Sequence, residues 1–255
     1  MPVSLFGKEK LIGLLKTDYS PTSFTAALWG PSGELAYTGY ARAAIARTDF
    51  AAASIVGNKA RVAISSPLAF GTPTGNITAN VVEVRIFDNS GNLLGTVAQA
   101  KTVTLNQPIS LSSLYFEADQ TSATGPSDAE LVRWLDRIFR GQPYTVRPNL
   151  FVDLYTAADA LTNYGGYAQQ SFSVATGLAD PVNDGNNLAR ILTTTAINFP
   201  TATSNGSAPI TNGKVWGEAG RTNLVLTFNV ASTVMETGDT LSIPVGNVFT
   251  SMGEP

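Results

Sequence analysis

Asp153, Glu83 and Glu218, together with the loop Asp180-Pro181-Val182-Asn183-Asp184-Gly185, are the places where this sequence could do chemistry. Acids stand out because the chain has neither histidine nor cysteine. The commonest general base, the commonest metal ligand and the thiolate nucleophile are therefore all missing. No Ser-His-Asp or Cys-His arrangement can be built, nor a disulfide, nor a Cys-type zinc site. What survives is carboxylate work, such as the paired acids of a glycosidase, or a cation held by oxygen alone.

Each candidate has a plainer reading. A calcium loop of the EF-hand kind wants Asp or Asn at its third position and Glu at its twelfth, and here those are Val182 and Ile191. The stretch 180–185 reads as an Asn/Asp/Gly turn. Asp153 lies in a strand pattern and is expected to point outward. Glu83 sits on the polar face of another alternating run, and Glu218 precedes Gly220 as turn residues do. The expectation is a chain that is not an enzyme, with no catalytic residue, no metal ligand and no cofactor.

The elements that must position these residues are written twice. A short helical pattern, Phe24-Thr25-Ala26-Ala27-Leu28-Trp29 and Gly39-Tyr40-Ala41 are echoed by a second helical pattern, Leu150-Phe151-Val152-Asp153-Leu154-Tyr155 and Gly166-Tyr167-Ala168. Phe70 answers Phe199, Phe87 answers Trp216, and Ile109-Ser110-Leu111 answers Leu241-Ser242-Ile243. The period of about 128 residues is far beyond that of solenoid repeats. Each copy is thus expected to be a domain, 1–120 and 121–255, joined by an exposed linker over 118–126. The echoed residues are apolar, aromatic or Gly. The polar ones are not echoed, with Arg42 facing Gln169 and Asp88 facing Gly217.

Residues 4–16 read as one helix. The second helix, at about 128–140, opens on Ser127-Asp128-Ala129-Glu130, a capping-box pattern, and carries Leu131, Trp134, Leu135, Ile138 and Phe139 on one stripe. Gly141 and Pro143 end it. Arg133, Arg137 and Arg140, among Asp128, Glu130 and Asp136, read as a solvated face. Short alternating runs with Gly/Asn/Pro turns follow each helix, including a hairpin turning at 88–92. They predict a mainly β chain of two antiparallel sandwich or jelly-roll-like domains, each preceded by a short helix.

Composition agrees with a structural role. Charged residues are 14% and net charge is −3, with no clustered basic face for nucleic acid. Leu11–Leu15 is too short to span a membrane or act as a signal, so no membrane partner is expected. The Asn76-Ile77-Thr78 and Asn205-Gly206-Ser207 triplets then read as chance. Trp29, Tyr40, Phe70, Phe87, Tyr155, Tyr167, Phe199 and Trp216 could form a sugar-stacking platform, but their pairing across the copies suits a core.

The second copy resembles the tail-fibre-like proteins of tailed bacteriophages over about residues 127–251. The resemblance rests on Ile138-Phe139-Arg140-Gly141-Gln142-Pro143-Tyr144-Thr145, on Pro148 to Ala158, on Gly165-Gly166-Tyr167-Ala168-Gln169, on Ile197 to Ala202 and on Thr237 to Gly246. The first copy keeps Gly39-Tyr40-Ala41-Arg42 but has Phe70-Gly71 where the second has Phe199-Pro200. The resemblance implies a non-enzymatic virion protein, assembled in the host cytoplasm with tail, collar or major capsid subunits. Homo-oligomers such as trimers are expected with it, with helices or aromatic patches docking on neighbours. A capsid cement or decoration protein, and a carbohydrate-binding or depolymerising module for host glycans, are the alternatives.

Overall fold

A computed structural model describes residues 4–77, 79–119, 125–183, 189–246 and 249–252. The chain is mainly β, built of antiparallel sheets. Its first half runs α1 (Leu5–Gly13), β1 (Phe24–Gly30), β2 (Gly33–Glu34), β3 (Ala43–Ile45), β4 (Ser54–Val56), β5 (Lys59–Ala63), β6 (Leu68–Ala69), β7 (Val81–Asp88), β8 (Leu93–Lys101), β9 (Ser110–Leu111) and β10 (Tyr115–Asp119). The second runs β11 (Gly125–Pro126), α2 (Asp128–Leu135), β12 (Asn149–Thr156), β13 (Gln170–Ser173), α3 (Val174–Gly177), β14 (Val182–Asn183), β15 (Ala189–Leu192), β16 (Ile197–Asn198), β17 (Ile210–Glu218), β18 (Thr222–Thr233), β19 (Ser242–Ile243) and β20 (Phe249–Met252).

The echo in the sequence is an echo of strand pairings. β3-β1-β7-β8 corresponds to β13-β12-β17-β18, β4-β5-β10 to β14-β15-β20, and β6-β9 to β16-β19. Even the bulges recur. The β7–β8 hairpin slips register between Ile86 and Phe87, and β17–β18 slips between Val215 and Trp216. A bulge re-aims every side chain beyond it, so both copies keep the same residues inward only if the slip is kept too. Gly39 and Gly166 hold φ of +92° and +84°, which an L side chain adopts at a cost. A Cβ at Gly39 would lie 2.2 Å from the Thr72 carbonyl oxygen.

The helices do not cap their own halves alone. Ser4 caps α1, its Oγ accepting from Gly7 N–H at 3.1 Å, while its own N–H donates to Leu94 O of β8 at 2.8 Å. Ser127 does the same for α2, accepting from Glu130 N–H at 3.2 Å and donating to Val225 O of β18 at 2.7 Å. Beyond these caps the helices cross over: α1 packs on β14, β15 and β20, and α2 packs on β4 and β5. The stripe Leu131, Trp134, Leu135, Ile138 and Phe139 is fully buried, as its spacing predicts. The Phe139 ring, past the end of α2 in a π-helical turn, lies 4.1 Å from Phe116, 5.2 Å from Phe50 and 5.6 Å from Phe24. All three neighbours belong to the first half, and one hydrophobic core runs through both halves.

Two expectations need correction here. In the linker, Gly125 and Pro126 are buried and pair with Thr227 and Leu226 of β18, adding an edge strand to that sheet just before α2; residues 120–124 lie outside the described residues. The capping box is only half made. Glu130 donates its N–H to Ser127 Oγ, but its side chain does not accept from the Ser127 N–H, which goes to Val225 O, because the Glu130 carboxylate is recruited inward.

Candidate functional site

That carboxylate is fully buried and heads a dense polar node. It accepts from Arg147 Nη1 at 2.7 Å and Nη2 at 3.0 Å, from Tyr144 Oη at 3.0 Å, from Trp134 Nε1 at 3.1 Å and from Arg133 Nη1 at 3.3 Å. The twin Arg147 contact is the bidentate form that gives charge-assisted bonds their strength. Burial, reinforced by the neighbouring Glu130 charge, pushes the Tyr144 phenol up, so it stays a donor. The solvated-face reading therefore fails for Glu130. It fails for Arg137 too, which reaches Asp18 of the first half with Nε at 2.7 Å and also with Nη2. Arg133 and Asp128 are the exposed members of that group.

The Gly-Tyr-Ala element places a second kind of node in each half. Tyr40 Oη accepts from Leu28 N–H at 3.1 Å and donates to Glu34 at 2.9 Å, and Arg42 grips the same carboxylate with Nε and Nη2 at 2.8 and 2.6 Å. Tyr167 Oη accepts from Leu154 N–H at 2.9 Å and donates to Asp153 at 2.7 Å. Gln169 and Arg221 complete that node at 2.6 and 3.1 Å. Burial, with the hydrogen bond to Asp153, pushes Tyr167 up, and the Arg42 contact holds Glu34 below the usual carboxylate range.

Two sequence expectations are overturned by this geometry. Asp153 does not point outward but is fully buried, because Tyr167 folds over it and satisfies it. The polar residues do echo, in role if not in type: Arg42 and Gln169 bind the carboxylate that the tyrosine holds. The carboxylate itself comes from different elements, β2 in one half and β12 in the other, so aligned positions hide the likeness. A signal was available in the recurring Tyr37-x-x-Tyr40 and Tyr164-x-x-Tyr167 spacing. Both pairs are edge-on, with ring centres 5.2 and 5.4 Å apart.

The remaining candidates are scattered. Glu83 contacts Arg85 Nε at 2.6 Å, and the Arg85 guanidinium lies 4.2 Å from the Trp29 ring centre. Arg42 lies 4.9 Å from the Phe87 ring and Lys214 lies 4.4 Å from the Tyr155 ring. Glu218, expected in a turn, is the exposed last residue of β17, opposite Thr222 of β18, and accepts from Thr222 and Asn223. Asp180 pairs with Lys16 at 2.8 Å, Val182 and Asn183 form β14, and 184–188 lie outside the described residues. Among the described residues no group of three or more acidic side chains could hold a metal ion. Of the proposed sugar platform, Phe70, Phe199 and Tyr155 are buried. Trp29, Tyr40, Phe87, Tyr167 and Trp216 are partly buried, and the two tyrosines spend their hydroxyls inward.

No helix among the described residues is long and apolar enough to cross a membrane. The surface carries isolated apolar residues, including Ile55 and Val56 on β4 and Val182 on the matching β14. A groove of about 310 Å³ runs between the halves, lined by Glu9, Lys10, Asp18, Tyr19, Asp180 and Pro181 among others. Residues 126–251, just under half of the chain, match the family model described as Podophage GP4 fiber I protein gp80. No curated protein matches the chain.

Proposed function

We propose that the chain is a tail-fibre-like structural component of a bacteriophage virion that acts by rigid assembly, without catalysis, a reading supported by the match of residues 126–251 to a podophage fibre family. The observation that carries this reading is the fate of its acids. Glu130, Asp153, Glu34 and Glu83, which might have served chemistry, are each tied to an arginine inside the chain. A carboxylate already neutralised in its own hydrogen-bonded node is a poor general acid or nucleophile and a good brace.

The helices are not the docking elements. Their apolar faces are spent between the halves, so contacts with other virion proteins fall to sheet faces, strand edges and loop ends. Few charges and many Thr and Asn groups on those surfaces suit large, permanent contacts. β4 is a candidate. It is an edge strand of its sheet, and its residues Ser54, Ile55 and Val56 are all exposed. The sugar-platform alternative is weakened by the buried Tyr155 and by the arginine laid over Trp29.

The test is a tagged chain expressed during infection. Label is expected on the tail or collar of purified particles, and the doubly charged variant I55D/V56D is expected to fold yet be lost from them. A tagged chain absent from particles refutes the virion role. Label on the capsid shell refutes the fibre position in favour of a cement. Purified chain that cleaves host polysaccharide refutes the non-catalytic reading.

A further inference from the structure

The contact between the halves has a specific symmetry. Each helix is pinned at its N-terminus to its own half, Ser4 to Leu93 and Leu94 and Ser127 to Leu224 and Val225. Each then lays its body on the small sheet of the opposite half, α1 on β14-β15-β20 and α2 on β4-β5, and the two helices touch each other. Polar contacts are reciprocal as well. Lys16, after α1, reaches Asp180 just before β14 at 2.8 Å, while Asp136, after α2, accepts from Ala53 N–H just before β4 at 2.8 Å. The parallel is one of elements: α1 meets three strands of the opposite sheet and α2 two of the matching three, and one polar contact is an ion pair while the other is a backbone N–H held by a carboxylate.

Two beads that merely touch would meet through different surfaces, a heterologous contact. Reciprocal use of the same surface is isologous, and it requires a two-fold relation. We propose that the joint between the halves is a subunit interface carried inside one chain, so that the molecule is a covalent pseudo-dimer. The surface of either half is built to receive a second copy of the same unit, and here the other half of the chain fills it. The fibre-family match bounds the same unit, since it spans one helix with one complete set of sheets. On a particle one chain then fills two subunit positions. That consequence rests on the virion reading; the joint itself does not.

The experiment uses the full chain with a protease site placed within residues 120–124 and cut after folding. The two products are expected to stay together at micromolar concentration and elute with the uncut 26.8 kDa chain, as a one-to-one complex by native mass spectrometry. Ile12 and Leu135 are fully buried and occupy equivalent helix positions. I12A and L135A are each expected to weaken the cut complex at least tenfold, by factors within about threefold of one another. Should either variant not fold uncut, I12V and L135V are read for the same equality. Products that separate on cutting, or a loss confined to one of the two helices, would overturn the proposal. Particle labelling does not enter this result, so the joint and the virion role fail separately.

Discussion

Replacing Phe139 with alanine removes a ring that belongs to the second half and packs against three rings of the first. The side chain is 2% exposed and sits against Phe116, Phe50 and Phe24. A Phe→Ala change in a closed core costs about 3–5 kcal/mol, the transfer term plus the cavity left behind. Three aromatic neighbours cannot all move into the gap, so the cost should fall near about 4 kcal/mol. For a chain of this length each kcal/mol lowers Tm by about 2–4 °C, giving a drop of about 8–16 °C. Calorimetry should show it as one transition moved downward, because the core is shared. Hydrogen exchange should show weakened protection in β5 and β10 although the substitution lies beyond residue 125. A drop below about 3 °C, corresponding to about 1 kcal/mol, would refute the packing argument. So would exchange changes confined to the second half.

Glu130→Ala leaves the Arg147 guanidinium half-buried and unpaired, and should cost about 3–5 kcal/mol in urea unfolding; Arg42→Ala, which breaks a more exposed pair, should cost about 1 kcal/mol or less. Tyr40→Phe and Tyr167→Phe each remove a bond to a carboxylate and strand a strand N–H, so both should cost about 2 kcal/mol, and a large inequality would mean the two nodes are not equivalent. Gly39→Ala should destabilise more than Gly166→Ala, since the added methyl meets a carbonyl oxygen at 2.2 Å in the first case and 3.0 Å in the second. Stability against pH should form a plateau. Asp18 and Glu34, lowered chiefly by arginine hydrogen bonds, and Asp88, raised by burial but lowered more by bonds from Tyr19, Asn92 and Ser90, stabilise the fold above their ordinary values of 3.8 to 4.5 and cease to do so as pH falls through their lower folded values. Tyr19, Tyr40 and Tyr167, raised chiefly by burial, stabilise it below 10 and cease to do so as pH climbs through their higher folded values. With no histidine, a steep change in melting temperature between pH 6 and 8 would contradict this account.

Local patterns in the sequence carried a good deal. The helix stripe from Leu131 to Phe139, the alternation of β7, the hairpin turn at Asp88 and the doubling of the strand set all follow from spacing and turn chemistry between near neighbours. Missing histidine and cysteine restricted the possible chemistry before any coordinates. Tertiary structure alone decided where the helices went and what the acids meant. Nothing in the stripe of α2 says whether its apolar face meets its own sheet or the other half's, since both are apolar and the hydrophobic effect has no direction. Asp153 read as outward because alternation counts positions, whereas burial of a charge depends on donors brought from Tyr167, Gln169 and Arg221, far along the chain. Glu130 read as a cap because the cap is local; Trp134 is one turn along the same helix, but Arg147 and Tyr144 converge on the carboxylate only once the chain after α2 turns back over it.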